Sequence, residues 1–243
     1  MCFNQAGERD SSGREEEFAV NVQATLLALP DTMPARRSLE LVLREESPAI
    51  ANHSIRSFLF ARLFADHVEA TPGSDYDPEL LFLACVLHDL GLGSAAGRDL
   101  RFEVDGANMA AKFLTDLTVP AADVDAVWEA IALHTSAHIA EQRNTLCYLT
   151  RSGINLDFGP PAGFLFGPSS EFITDDQGAA IHEAYPRYSM ATALANAVIE
   201  QATAWPATAP PFSPAAVMTT ERLQAPDHLS WTERAASAGR WGN

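Results

Sequence analysis

A histidine and an aspartate stand side by side at positions 88 and 89, closing the apolar run 80–87 just ahead of Gly91-Leu92-Gly93. Ionisable neighbours at the base of an apolar helix are costly to bury unless they are paired or bind a cation. Adjacent helical residues point about 100° apart, yet side chains of these lengths can converge on one ion. The plainer alternative is a helix C-cap, with His88 at the negative end of the helix dipole and Asp89 bonded into the turn. Two further residues of ligating type lie far off in sequence: His53, 35 residues before His88, and Asp157, 68 residues after Asp89. Two imidazoles and two carboxylates would suit a divalent transition metal and leave positions open for water. His134 shares an apolar stripe with Val127 and Ile131. A lone histidine there is most often a satisfied core group, and with His138 one turn on it could instead recruit a second metal.

These side chains need helices to hold them. Asp77-Pro78-Glu79 reads as an N-cap, an N1 proline and an acidic first turn, opening a helix that runs to His88. Its sides are nearly all apolar, which predicts a central, buried helix, and Gly91 and Gly93 end it. A helix over 48–70 carries His53 near its start. From Asp123, the residues Val124, Val127, Trp128, Ile131 and His134 follow steps of three and four, the pattern of one helix face. Further helices are predicted at 15–29, 36–45, 105–117, 138–152 and 187–204, while the alternation of a strand is almost absent. The prediction is an all-α fold. Residues 1–17 are polar and charged and read as disordered, 18–204 as the helical domain, and 205–243 as a Pro-rich C-terminal tail. Prolines 206, 210, 211 and 214 argue for an extended tail, with at most a short helix near 228–238.

At 243 residues, 47% apolar and 20% charged, the chain can build a substantial core. Its longest apolar run, 80–87, is far short of the roughly 20 residues of a membrane span. The first residues lack the basic start and apolar stretch of a secretory signal. Three separated cysteines, Cys2, Cys85 and Cys147, suit a reducing compartment, so a cytoplasmic location is expected. Sixteen basic residues against 32 acidic ones leave a net charge of −16, and Lys112 is the only lysine. Such a surface repels phosphate backbones and anionic lipid. Neither nucleic acid nor a membrane is the expected partner; a small neutral or cationic ligand, or one held by a metal, is. The sequence is compatible with a homo-oligomer.

The segments NHSIRSFLFA, DPELLFLACVLHDLGLG, RFEVDGANMAAKFL, VWEAIALHT and GINLDFG occur in that order. An ordered histidine, His-Asp doublet and distal aspartate in a helical chain is the HD-domain metal signature. The five segments together resemble the cyanamide-hydratase branch of HD-domain proteins, from about Pro48 to about Gln201. The resemblance implies an HD-domain-like helical bundle with a buried metal site. It implies one divalent metal, usually Zn2+, with Fe2+ or Mn2+ as alternatives, held by His53, His88, Asp89 and Asp157. It also implies the hydration of cyanamide to urea, and the expected partner is a small neutral substrate, cyanamide or a related nitrile.

In that reading a bound divalent ion lowers the pKa of its water toward about 7 and supplies hydroxide at neutral pH. Asp89 and His134 are the catalytic candidates, His134 meeting the charge that develops on nitrogen. Asn52 and Thr135 are candidates for orienting substrate, and Glu103 for fixing a ligand histidine. Three rivals share these residues: an HD-type phosphohydrolase, which needs basic groups by the metal and finds only Arg56, Arg98 and Arg101 near the motifs; a hydratase of another nitrile or isocyanide; and an HD domain that binds a ligand without turnover.

Overall fold

The computed structural model describes residues 23–159 and 167–224, with residues 230, 233, 236, 237 and 239–243 near the C-terminus. The expected disordered segment 1–17 lies outside the described residues. Among the described residues the fold is all-α, and the only bridge pairing is an isolated contact between Pro72 and Tyr76. No helix among the described residues is long and apolar enough to cross a membrane.

The helices start where their capping residues dictate. Thr32 accepts from the Ala35 amide at the start of α1, Met33–Glu45. Ser47 does the same for Ile50, with Pro48 opening α2, Pro48–His67. Asp77 Oδ1 accepts from the amides of Glu79 and Leu80 at 2.7 and 3.2 Å, and Pro78 begins α3, Pro78–Leu87. Each cap satisfies amides that have no partner within the helix. Every residue of α3 from Leu81 to Leu87 is buried, as a helix without a polar side must be. A single 3-10 turn, Leu90–Leu92, follows it. The chain continues through α4, Phe102–Asp116, α5, Ala121–Leu133, the short α6, Ala140–Arg143, and α7, Thr145–Asp157. The helices α8, Asp175–Ala184, and α9, Met190–Ala204, complete the bundle, and α10, Pro214–Gln224, comes after a 3-10 turn at Pro206–Thr208.

The main core gathers around α2, α3 and α7, with Phe58, Phe60, Phe64, Phe82, Leu83 and Leu149 inside it. α2 and α7 cross very closely. A Cβ on Gly153 would stand 2.2 Å from the Ser57 carbonyl oxygen and 2.6 Å from the Ala61 Cβ, so only glycine fits the crossing. A second core joins Phe102 and Phe158 to the apolar faces of α9 and α10, with Met190, Val198, Ala215 and Met218.

Several predicted boundaries move, each for a local reason. The helix expected over 138–152 breaks at Asn144, whose extended backbone ends α6 and whose side chain accepts from the Cys147 amide to start α7. The helix expected from 187 starts at 190, because Tyr188 and Ser189 adopt left-handed backbone angles. Of 15–29, residues 23–29 are described, and 23–26 of them are helical.

The largest correction concerns 205–243, which is not merely an extended tail. Pro206 and Pro214 each occupy the first position of a helical element, where the missing amide hydrogen costs nothing. The helix α10 packs Ala215 and Met218 into the second core. Further on, the Trp241 ring lies nearly parallel to that of Phe60, and its Nε1 donates to the Leu156 carbonyl at 3.1 Å. The short helix expected near 228–238 falls mostly outside the described residues.

Candidate metal centre

The same local device places two of the histidines. His88 directly follows α3 and His134 directly follows α5, and each ring bends back to donate Nδ1–H to the carbonyl three residues earlier. Those carbonyls are Cys85 O and Ile131 O, both at 2.7 Å. His53 sits on α2 and gives its Nδ1–H to Asp157 Oδ2 on α7, also at 2.7 Å. With Nδ1 committed as a donor in each, the neutral rings leave Nε2 as the ligating nitrogen, the tautomer a metal ligand requires. The ring centres of His53 and His88 are 5.2 Å apart, and those of His88 and His134 are 4.9 Å apart.

Asp89 completes the group. Its Oδ2 lies 3.1 Å from His88 Nε2, and neither that oxygen nor His53 Nε2, both buried, makes a hydrogen bond. The ligating atoms of His53, His88 and Asp89 lie within 4.8 Å of one another. Buried polar atoms without partners cost free energy, and lone pairs that face each other are reconciled by a cation. Two imidazoles and a carboxylate are a donor set that holds Zn2+ with a position open for water.

The charge state follows from burial and neighbours. Burial works against an ionised Asp89, but the attraction of His88 outweighs it and holds the carboxyl at about 2. Burial likewise works against a charged His88, and the Asp89 carboxylate overrides it and raises the pKa. A divalent ion would take the place of that proton. His53 is lowered by burial despite Asp157. Burial and the nearby His88 push His134 down to about 4, so its ring is neutral at physiological pH. Glu46, buried at the end of α1, is raised well above the usual carboxyl range by burial and by the Asp89 charge.

The structure does not bring Asp157 into the cluster. Arg56 grips it in a fork, Nε to Oδ1 and Nη2 to Oδ2, both at 2.7 Å, and Arg187 Nη1 donates to its carbonyl at 2.6 Å. Burial disfavours the carboxylate, yet Arg56 more than compensates and lowers the pKa far below the usual range. With both oxygens engaged, Asp157 stands behind His53 and fixes its ring. Arg56, a phosphate-binding candidate by sequence, is consumed by this pair.

The other predicted positions divide. Thr135 lines the cavity beside the cluster, and its hydroxyl donates to Glu103, which also receives Arg101. Asn52 is not brought to the cavity: its Nδ2 donates to the Pro186 carbonyl at 2.8 Å, tying α2 to the loop before α9. His138 is exposed, with a left-handed backbone angle, in the turn between α5 and α6. It lies off the helix of His134, and the cluster does not include it.

The cavity measures about 680 Å3. Sequence reasoning missed three contributors to it. Arg151 donates to the His134 carbonyl at 2.7 Å and pairs with Glu141. Asn155, one turn before Phe158, presents a buried Nδ2 that makes no hydrogen bond. The third is the wall formed by Leu194 and Val198 of α9 with Val217 and Met218 of α10. The spacing of apolar residues on α9 was the available signal; the prolines around α10 masked the rest.

A helical bundle with a buried His, His-Asp cluster at the end of its central helix defines a class, and residues 50–160 match the family described as HD domain. Over that stretch the chain is similar to HD-domain proteins, and among characterised proteins it is similar to cyanamide hydratases. It is 27% identical over 172 residues to the cyanamide hydratases DDI2 and DDI3 of Saccharomyces cerevisiae, alignments that cover 70% of this chain and 72% of each relative.

Proposed function

We propose that the protein is a metal-dependent hydratase that adds water to the carbon–nitrogen triple bond of a small neutral nitrile, with cyanamide giving urea. One observation carries the reading: His53 Nε2, which makes no hydrogen bond, converges with His88 and the Asp89 carboxylate on the wall of a cavity that also holds a neutral His134. His53, His88 and Asp89 would hold the ion. Zn2+ suits the set best, and Fe2+ or Mn2+ could also occupy it. Bound there, a divalent ion would activate a water near neutral pH and polarise the nitrile.

The chain's own residues do the rest. Asp157 keeps His53 in the ligating tautomer and strengthens it as a donor. His134 offers a bare Nε2, so it is first an acceptor: it takes a proton from the attacking water and then passes it to the nitrile nitrogen. The water oxygen bonds to carbon, one π bond of the nitrile becomes an N–H bond, and tautomerisation of the isourea gives urea. Thr135, its own hydrogen committed to Glu103, has a lone pair with which to accept from the cyanamide amino group. The two guanidinium groups on the cavity wall do not favour a phosphate ester, because Arg101 is paired with Glu103 and Arg151 with Glu141.

Elemental analysis and a urea assay on one preparation test the reading. About one equivalent of divalent metal, urea from cyanamide, and loss of both on chelation are expected. Phosphate release from nucleoside monophosphates without any urea would overturn it.

A further inference from the structure

Cyanamide has three non-hydrogen atoms and needs no more room than about three waters, roughly 90 Å3 at about 30 Å3 per water. The cavity beside the cluster measures about 680 Å3, within the size range of sites that enclose much larger organic ligands. Its two ends differ. The polar end is the cluster with His134 and Thr135. The rest of the lining is largely apolar: Leu194 and Val198 come from α9 and Val217 and Met218 from α10, and Phe102 and Phe158, which pack edge-on against His134 and His53, join them in the second core. Apolar side chains continue to the surface around it, with Ile139 60%, Val217 49% and Phe212 99% exposed. A hydratase for cyanamide alone would have no use for this wall, which leaves apolar surface in contact with water.

We infer that the preferred substrate is a neutral nitrile bearing an apolar substituent of about five to ten non-hydrogen atoms, its cyano group at the cluster and its substituent against α9 and α10. This rests on the hydratase reading and extends it to a substrate class. The reaction is the addition of one water to R–C≡N: a C–O bond forms, one π bond becomes N–H, and the imidic acid tautomerises to the carboxamide R–C(=O)NH2. Nothing is oxidised or reduced. The substituent must be uncharged, because the cations on the cavity wall, Arg101 and Arg151, are already matched by Glu103 and Glu141.

The test uses the full chain with its metal. Cyanamide, acetonitrile, hexanenitrile, benzonitrile and a carboxylate-bearing nitrile of similar size are assayed for urea or carboxamide by mass spectrometry. kcat/KM is expected to rise at least tenfold from acetonitrile to the six-carbon and aryl nitriles, and to fall at least tenfold for the carboxylate. Two variants then probe the wall. Val198→Trp fills the space beside α9. Val217→Glu puts a charge at the mouth, on a half-exposed position where folding tolerates it. Each should lower the ratio of kcat/KM for hexanenitrile over cyanamide by tenfold or more. Hydration of cyanamide with no gain from larger nitriles, or an unchanged ratio in both variants, would overturn this inference and leave the hydratase reading standing. No product from cyanamide or any nitrile would overturn both.

Discussion

His134 differs from the other two imidazoles in what its environment asks of it. All three rings commit Nδ1 to an acceptor, but only His53 and His88 join Asp89 in the tight cluster. His134 stands one ring further out, against His88 and Phe102, where a proton acceptor can reach both the water and the nitrile. His134→Ala should therefore keep its metal and lose rate by about 10²–10⁴, the usual worth of a positioned acid–base group. Metal content and kcat measured on the same sample decide it; equal loss of metal and activity would make His134 a ligand. At this scale the sequence was partly legible. The doublet and His53 meet as the family resemblance implied, and the Asp77-Pro78 signal had already set the central helix that carries the doublet at its end. The place of Asp157 was not legible, since it depends on Arg56, 101 residues away, and no local pattern announces that pair. Asn52 misled for a similar reason: its partner is the backbone of Pro186.

Among the elements, the crossing of α2 and α7 decides whether His53 and Asp157 can meet at all. The start of α3 was readable from Asp77-Pro78, and its burial from its composition. The crossing was not, because a glycine inside a helix reads from sequence only as a weak point. Gly153 is there to let the helices touch. In Gly153→Val the new Cβ would meet the Ser57 carbonyl oxygen at 2.2 Å, a backbone atom that cannot step aside. The helices must separate, and the 2.7 Å bond from His53 to Asp157 is lost with them. A destabilisation of about 3 kcal/mol is expected from overpacking of this kind, read by denaturant unfolding, together with weaker metal retention. Gly97→Ala is the control: its nearest neighbour would be 3.8 Å from the added carbon, and stability should stay within about 0.5 kcal/mol. Equal effects of the two substitutions would remove the crossing as the explanation.

At the scale of the molecule, the stretch after Trp205 closes the structure over the site from two directions. The helix α10 supplies the outer wall of the cavity and part of the second core. Trp241 packs on the main core. Its ring packs on Phe60, with centres 5.9 Å apart, and on His182 at 5.3 Å. A Cβ on Gly178 would come within 2.5 Å of it, so the bundle leaves a groove for this indole. His182 in turn lies 3.7 Å from Asp157, the residue that holds His53. Prolines made the part around 206–214 look extended, since composition alone does not distinguish a proline that breaks a helix from one that begins it. Trp241→Ala removes the ring and leaves its groove against Phe60 unfilled. A loss of roughly 3 kcal/mol is expected, the low end for a tryptophan because this one is only partly buried. Trp241→Phe should recover part of it by restoring the stacked ring without the hydrogen bond to Leu156. Denaturant unfolding of the three proteins at one pH measures both steps. An alanine variant within about 0.5 kcal/mol of the parent would show that the indole merely rests on the surface. A full loss that phenylalanine does not relieve would place the stabilisation in the Nε1 hydrogen bond rather than in the packing.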